Sequence, residues 1–270
     1  MSTALLEGLL RKPAGPIRPA LSYSARVRSA ESLERLRCNL AKYETHVDVA
    51  AGDLVEAIEA ADVVIIGCQA RDLGAMIETE DFVARLKGRV VISLMAGVST
   101  KQLIERLTKA DKGGADADFL VARIIPSLGC LIGQSVTLVA LPLGTQQREI
   151  VNRIMEQVGT VHYIPEALMD EATALGAACH AMMIVGIDAA TDASVAEGIP
   201  RPMAVAIAAQ SFSSASSLMA KDTTAEQLKI AMSTPSGITI NSVVKLEEKG
   251  FRSAVAASTL HAIRYARQIS

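Results

Sequence analysis

MDEATALGAACHAMMIVGIDAATDASVA, residues 169–196, runs for 28 residues without a proline and is dense in Ala, Met, Leu and Ile. Glu197, Gly198, Ile199 and Pro200 follow, a glycine just past a helix end and then a proline stop. The stretch predicts one helix roughly 40 Å long at about 1.5 Å per residue, close to the width of a domain. Its apolar residues lie on all sides, as expected of a helix covered on most of them. Before it, strand-like and helix-like segments alternate; after it, only helix is read. It is therefore the expected spine between two halves and the surface where two subunits lock, with a long core helix of one larger domain as the alternative.

Working back from the spine, Asp62 to Cys68 (DVVIIGC) holds four consecutive β-branched residues without alternation, as in a parallel sheet covered on both faces. Gly88 to Ala96, Phe119 to Ile125, Val136 to Leu141 and Thr160 to Ile164 read as further strands, and Pro19 to Ser24 as an early one. Helical spacing is read for Met1 to Leu10, Ser29 to Tyr43, Leu73 to Leu86, Ser99 to Ala110 and Thr145 to Val158, with Ser29 and Ser99 as caps. Lys12, Pro13, Gly15 and Pro16 break the first helix. Asp53 is placed to cap a short helix to Ala60. Residues 112–116 read as a mobile surface loop. Strands separated by helices predict an α/β, doubly wound (Rossmann-like) parallel sheet domain. Downstream, Pro202 to Met219, Thr224 to Met232, Ile238 to about Glu248 and a closing segment to Ala266 predict an all-helical domain.

Composition narrows the function. A net charge of −2 offers no basic field for nucleic acid. With 3% aromatic residues and no Trp, the core must be aliphatic. No signal peptide is read, and Asp170, Glu171, His180, Asp188 and Asp192 interrupt the spine, so no membrane partner is expected. Four scattered cysteines and four scattered histidines show no metal-site spacing. The expectation is a soluble cytoplasmic protein without a metal.

Ligands of an open parallel sheet lie outside the carboxyl ends of its strands. There the chain carries Arg26, Arg28 and Ser29, then Gly67, Cys68 and Gln69, then Met95, Ala96 and Gly97. Fixed positive charge with a donor at a helix start suits the 2′-phosphate of an NADP-type cofactor, the alternative being a solvated basic face. A second candidate, Ser233-Thr234-Pro235-Ser236-Gly237-Ile238-Thr239, joins two helices; its hydroxyls and free amides suit a small carboxylate, or merely cap a turn. On the apolar spine, His180 reads as a hydrogen-bonded core histidine rather than a general acid.

Several stretches then resemble one family. Ala61-Asp62-Val63-Val64-Ile65-Ile66, Arg71-Asp72-Leu73 and Val91-Ile92-Ser93-Leu94-Met95-Ala96-Gly97-Val98 look like the cofactor domain of pyrroline-5-carboxylate reductases. Asp170-Glu171-Ala172-Thr173-Ala174-Leu175 is similar to the start of that family's long helix, and residues 233–240 to its Ser-Pro-Gly-Gly-x-Thr loop. Glu248-Lys249-Gly250-Phe251-Arg252 matches its closing glycine-phenylalanine-arginine. The resemblance covers essentially the whole chain. It implies reduction of the cyclic imine 1-pyrroline-5-carboxylate to L-proline with NADPH, NADH being possible, in homodimers or higher oligomers locked by the helical domain. By it, residues 1–164 form the dinucleotide domain and residues 165–270 the dimerisation and substrate domain. Arg26, Arg28, Ser29 and Asp53 would face the adenosine end, and Met1, Ser2, Cys68, Gln69, Ala96 and Gly97 the rest of the dinucleotide. Thr234, Ser236, Gly237 and Ile238, with Thr173 and His180, would hold the substrate. Thr239 would be the catalytic residue, orienting the imine nitrogen.

The chain also departs from the pattern. Met1 aligns with the methionine of the family's Gly-x-Gly-x-Met-Gly turn, so the first strand and its glycines are expected to be absent. Gly176-Ala177-Ala178-Cys179-His180 replaces a Ser-Gly-Ser-Gly-Pro run, Ser127-Leu128-Gly129 an Asn-Thr-Pro, and Ser236 a loop glycine. These changes leave open a divergent imine reductase of specialised metabolism, or a non-catalytic dimerising homologue.

Overall fold

The computed structural model describes residues 1–11, 22–43, 47–52, 54–111, 119–221 and 223–269. The expected breaker at Lys12 to Pro16, the Asp53 cap and the loop at residues 112–116 lie outside the described residues. Two compact units are formed, residues 1–173 and residues 174–268.

The first unit begins with helix α1 (Ser2–Arg11), followed by β1 (Tyr23–Val27), α2 (Ala30–Leu40), β2 (Val47–Ala51), α3 (Leu54–Glu59) and β3 (Val63–Ile66). Helices α4 (Leu73–Ile77) and α5 (Phe82–Leu86) lead to β4 (Val90–Ser93), α6 (Thr100–Ala110) and β5 (Leu120–Pro126). Strand β6 (Ser135–Leu141), α7 (Thr145–Met155) and β7 (Gly159–Pro165) complete it. The early strand, described over Tyr23–Val27, extends past Ser24 and takes in Arg26; Pro19 to Leu21 lie outside the described residues. Leu73 to Leu86 is two helices rather than one, because Asp81 adopts a left-handed conformation (φ 59°) between them.

Strand β4 shows why an unalternating run folds centrally. Its Val90 and Ile92 pack with Leu5 and Leu9 of α1 and Met155 of α7, while Val91 packs on the other face with Leu86, Leu103 and Leu107. Both faces are covered, so alternation has no use. The same unalternating pattern predicts an equally buried β3, yet Ile65 is 37% exposed. The reason is position: β3 is the margin of a five-stranded sheet of order β3-β4-β5-β6-β7, while β1 and β2 pair in a separate parallel sheet.

The sheet is not wholly parallel either. β3, β4 and β5 run parallel, as do β6 and β7, but β5 and β6 are antiparallel. A parallel neighbour needs a crossover of about a dozen residues or more. Residues 127–134 are too few, and the chain turns straight back through a short 3-10 segment.

The second unit is helical. Helix α8 (Met169–Ala196) carries the chain into it, followed by α9 (Arg201–Met219), α10 (Ala225–Met232), α11 (Ile238–Glu248) and α12 (Phe251–Ile269). Thr224 and Gln227 form a reciprocal capping box at α10, as Ser99 and Gln102 do at α6. Gly186 of α8 has just room for the Phe212 ring of α9, which a Cβ there would meet at 3.3 Å. One expectation fails here. Helix α8 is not covered on most sides, since Ile184 and Val185 are 69% and 67% exposed. Its apolar residues lie all round, and the helices of one chain cover only part of that surface. Residues 166–196 are also long and apolar enough, by length and composition, to cross a membrane.

Candidate active site

At the end of β1 the two arginines part company. Arg26 lies inside the strand, opposite Ala50 of β2, not after it as expected. Its Nη2 is 2.6 Å from Asp48 Oδ2, its Nη1 is 3.4 Å from the Ala25 and Asp48 carbonyls, and its Nε is buried without a hydrogen-bond partner. Arg28, beyond the strand, has a side chain 81% exposed and touches Asp72 Oδ1 at 3.2 Å. The Ser29 hydroxyl caps α2, accepting from the Ser32 amide at 3.2 Å. Asp53 lies outside the described residues.

The ends of β3 and β4 sit beside the first turn of α1. Ser2 Oγ donates to the Gly67 carbonyl at 3.0 Å, an approach that a side chain at position 67 would block. The first turn of α1 has no acidic residue, so its free amides and positive dipole end favour an anion. Met1 is exposed. Cys68 Sγ lies 3.9 Å from Met95 Sδ; burial pushes its thiol up, and the charge of Asp72 adds to this. Gln69 and Ala96 are exposed. Gly97 has φ 72°, a conformation that favours glycine, and leads into the Ser99 cap of α6. The structure therefore gathers Ser2, Arg28, Asp72 and Cys68 around the strand ends. Among the described residues no cluster of three or more metal-ligating side chains is found.

In the second unit, residues 233–237 link α10 to α11 through one tight turn. The Gly237 amide donates to the Thr234 carbonyl at 2.9 Å, and Asn241 Nδ2 donates to the Gly237 carbonyl at 2.9 Å. Gly237 caps α11, with Thr239 in the first turn. Ser236 has φ 58°, left-handed for a non-glycine residue. Thr234 and Ser236 are exposed, Ile238 is 89% exposed, and Ser233 Oγ is buried without a partner. On α8, the Thr173 hydroxyl donates to the Met169 carbonyl at 2.7 Å. His180, for which the sequence predicts a core position, is exposed, its Nδ1 donating to the Gly176 carbonyl at 2.9 Å. A helix with too few neighbours to bury it exposes its histidine too.

Three residues to which the sequence assigns no role take part in these contacts. Asp48 follows a valine and precedes another, an alternation that would have marked β2 and set this carboxylate on the face of Arg26. Asp72 is signalled only by its distance from β3. Arg123 is a lone charge in the apolar run Val121 to Ile125, buried to 3% exposure and paired with Asp170 and Glu166.

Residues 166–269 match the family described as pyrroline-5-carboxylate reductase dimerisation, and residues 1–97 the family described as NADP oxidoreductase, coenzyme F420-dependent. A pyrroline-5-carboxylate reductase of Lophium arboricola is 32% identical over 259 residues, covering 94% of this chain and 81% of that protein. The solved structure of a pyrroline-5-carboxylate reductase from Coxiella burnetii superposes with a TM-score of 0.79 at 21% identity, covering 100% of this chain and 94% of that one. Pyrroline carboxylate reductase of Plasmodium falciparum, solved with NADP bound, gives a TM-score of 0.74 at 20% identity, covering 99% and 93%. A mostly parallel α/β unit with basic and glycine-bearing strand ends, followed by an all-helical unit, defines a dinucleotide-dependent oxidoreductase. This chain belongs to the pyrroline-5-carboxylate reductase family.

Proposed function

We propose that this protein reduces a cyclic imine with NADPH, the substrate being 1-pyrroline-5-carboxylate and the product L-proline, with NADH as a weaker donor. The observation that carries the reading is the gathering at the strand ends: an exposed Arg28 guanidinium and an acid-free helix start, held to β3 by Ser2 and Gly67. A dinucleotide phosphate fits such a donor set. In this reading residues 1–164 bind the cofactor and residues 165–270 serve dimerisation and the substrate.

When bound, NADPH supplies the hydride. The chain supplies binding and orientation. Arg28 and Ser29 hold the adenosine phosphate, and Met1, Ser2, Cys68, Gln69, Ala96 and Gly97 line the dinucleotide, with Arg26 and Asp53 nearer the adenosine. The amides from Gly237 to Thr239, with the hydroxyls of Thr234 and Ser236, hold the substrate carboxylate at the start of α11. Ile238, Thr173 and His180 line the substrate, and the Thr239 hydroxyl orients the imine nitrogen so that hydride reaches the adjacent carbon. A second copy of the chain covers the exposed apolar residues of α8 and its neighbours, making a cytoplasmic homodimer that can assemble further; Ile184 and Val185, 69% and 67% exposed, support this reading.

A second reading, a reductase of a bulkier or carboxylate-free imine, is favoured by Leu128, 60% exposed just beyond β5. NADPH oxidation with 1-pyrroline-5-carboxylate and with a carboxylate-free pyrroline decides between them. Turnover of the first supports the proposal. Turnover of the second alone replaces the substrate. Failure of both NADPH and NADH to saturate the protein, in a dimer by light scattering, overturns catalysis altogether.

A further inference from the structure

The two arginines at the end of β1 are not equivalent, and the difference lies in their acidic partners. Arg26 is largely enclosed, its side chain 13% exposed, and three hydrogen bonds commit it to Asp48 and neighbouring carbonyls. Its charge is neutralised within the β1–β2 pair. Arg28 stands in water with one described contact, to Asp72 at 3.2 Å. A guanidinium has five N–H donors, so this single contact leaves most of its fork open to a phosphate.

Asp72 has little else to do. It stands at the start of α4 yet makes no side-chain cap hydrogen bond there. Its side chain is 35% exposed, and its charge reaches Cys68 at the end of β3. The carboxylate is thus presented to Arg28 and to the strand ends rather than absorbed by its own helix.

We infer that Asp72 sets the preference for phosphorylated over unphosphorylated dinucleotide, by competing with the 2′-phosphate for Arg28. The inference rests on the proposed function. A 2′-phosphate arriving at Arg28 must displace the Asp72 carboxylate and remain near its negative charge. An unphosphorylated ribose brings no second charge and suffers neither cost. Asp72 therefore holds down NADPH affinity while leaving NADH affinity almost unchanged, and Asp48, by occupying Arg26, leaves Arg28 as the residue on which discrimination turns.

The test is equilibrium titration of the full chain with NADPH, NADH, adenosine 2′,5′-bisphosphate and AMP, on wild type, Asp72→Asn, Arg28→Met and the double variant. Asp72→Asn is expected to tighten NADPH and the bisphosphate about three- to fivefold, the size an exposed ion pair allows, with NADH and AMP changed less than twofold. Arg28→Met is expected to abolish the preference, and the double variant to show no gain from Asp72→Asn. Tightening of NADH and AMP to the same degree would overturn the inference, as would a gain that persists without Arg28. If wild type prefers NADPH and Asp72→Asn changes nothing, the inference fails and the proposed function stands. If wild type binds neither nucleotide, the proposed function fails and carries this inference with it.

Discussion

Arg123 Nη2, within β5, lies 2.7 Å from Asp170 Oδ1 in the first turn of α8. Its Nη1 lies 3.7 Å from Glu166, and Glu166 Oε1 also accepts from the Thr100 amide at the start of α6 at 2.6 Å. The start of α8 meets the strand's guanidinium directly, and Glu166 ties the start of α6 to it. The pairing is lopsided: the arginine side chain is 4% exposed, whereas Asp170 and Glu166 are 29% and 24% exposed. Removing the acids leaves a charge that water cannot reach; removing the arginine leaves acids that water can. Asp170→Ala with Glu166→Ala should therefore cost about 3–5 kcal/mol, and Arg123→Met only about 1–2 kcal/mol. Urea midpoints with an unchanged slope measure both. Equal losses would mean that the guanidinium is hydrated after all.

Gly8 makes a second case, one of space. A Cβ there would overlap the Cys130 carbonyl oxygen and crowd Val158 at 3.1 Å. Helix α1 rests on this contact, with Leu5 and Leu9 buried beside it. Gly8→Ala should lose about 1–3 kcal/mol through overpacking. Gly74→Ala in α4 is the control, since nothing lies within 4 Å of its Cβ, and it should gain about 0.4–1 kcal/mol from a stiffer unfolded chain. Thermal melts of the pair should move in opposite directions. A Gly8→Ala melt that does not fall would show that α1 can lift off without loss.

What could be read in advance follows from what periodicity reports. The bounds of α8 were legible because no breaker falls between Met169 and Gly198, and β4 because a strand buried on both faces needs no alternation. Direction was not legible. The period of β6 is the same whether it runs with β5 or against it, and only the short link at residues 127–134 reveals the reversal. Exposure was hidden for a related reason: the pattern of α8 shows that its surface is apolar, not how much of it one chain can cover. At the candidate site, residue types were visible but their engagements were not. Asp48 reaches Arg26 across a parallel pair, 22 residues away, and no local rule links them. The carboxylates beside the two arginines decide how much of each positive charge a ligand can use.

Cys68 provides a chemical reading of the same region. Burial raises its thiol pKa first, and Asp72 raises it further. A raised pKa means less thiolate at neutral pH, and the thiolate is the nucleophile. Iodoacetamide at pH 7.5 should therefore modify exposed Cys38 well before Cys68, and Cys68 should catch up only as pH rises past the ordinary thiol range. Asp72→Asn should speed the modification of Cys68 at a given pH. Peptide mass spectrometry over a pH series follows each site. Equal labelling of Cys38 and Cys68 at neutral pH would contradict the enclosure of the strand end.

The turn from Thr234 to Gly237 offers two substitutions with opposite expectations. Ser236 holds φ 58°, where a side chain costs about 1–2 kcal/mol and glycine almost nothing. Ser236→Gly should relieve that strain by more than the added freedom of the unfolded chain takes back, a net gain of about 0.5–1 kcal/mol. Gly237→Ala goes the other way. Its Cβ would overlap the Thr234 hydroxyl and lie 2.9 Å from the Thr234 carbonyl, prising open the turn that the Gly237 amide closes. If this turn holds the substrate carboxylate, Gly237→Ala should raise the KM for the imine at least tenfold, about 1.4 kcal/mol of binding, while NADPH affinity stays within twofold. The split matters because a general loss of folding would weaken both ligands together. A raised KM for nucleotide and imine alike would place the fault in the fold, and an unchanged KM for both would remove this turn from the substrate site.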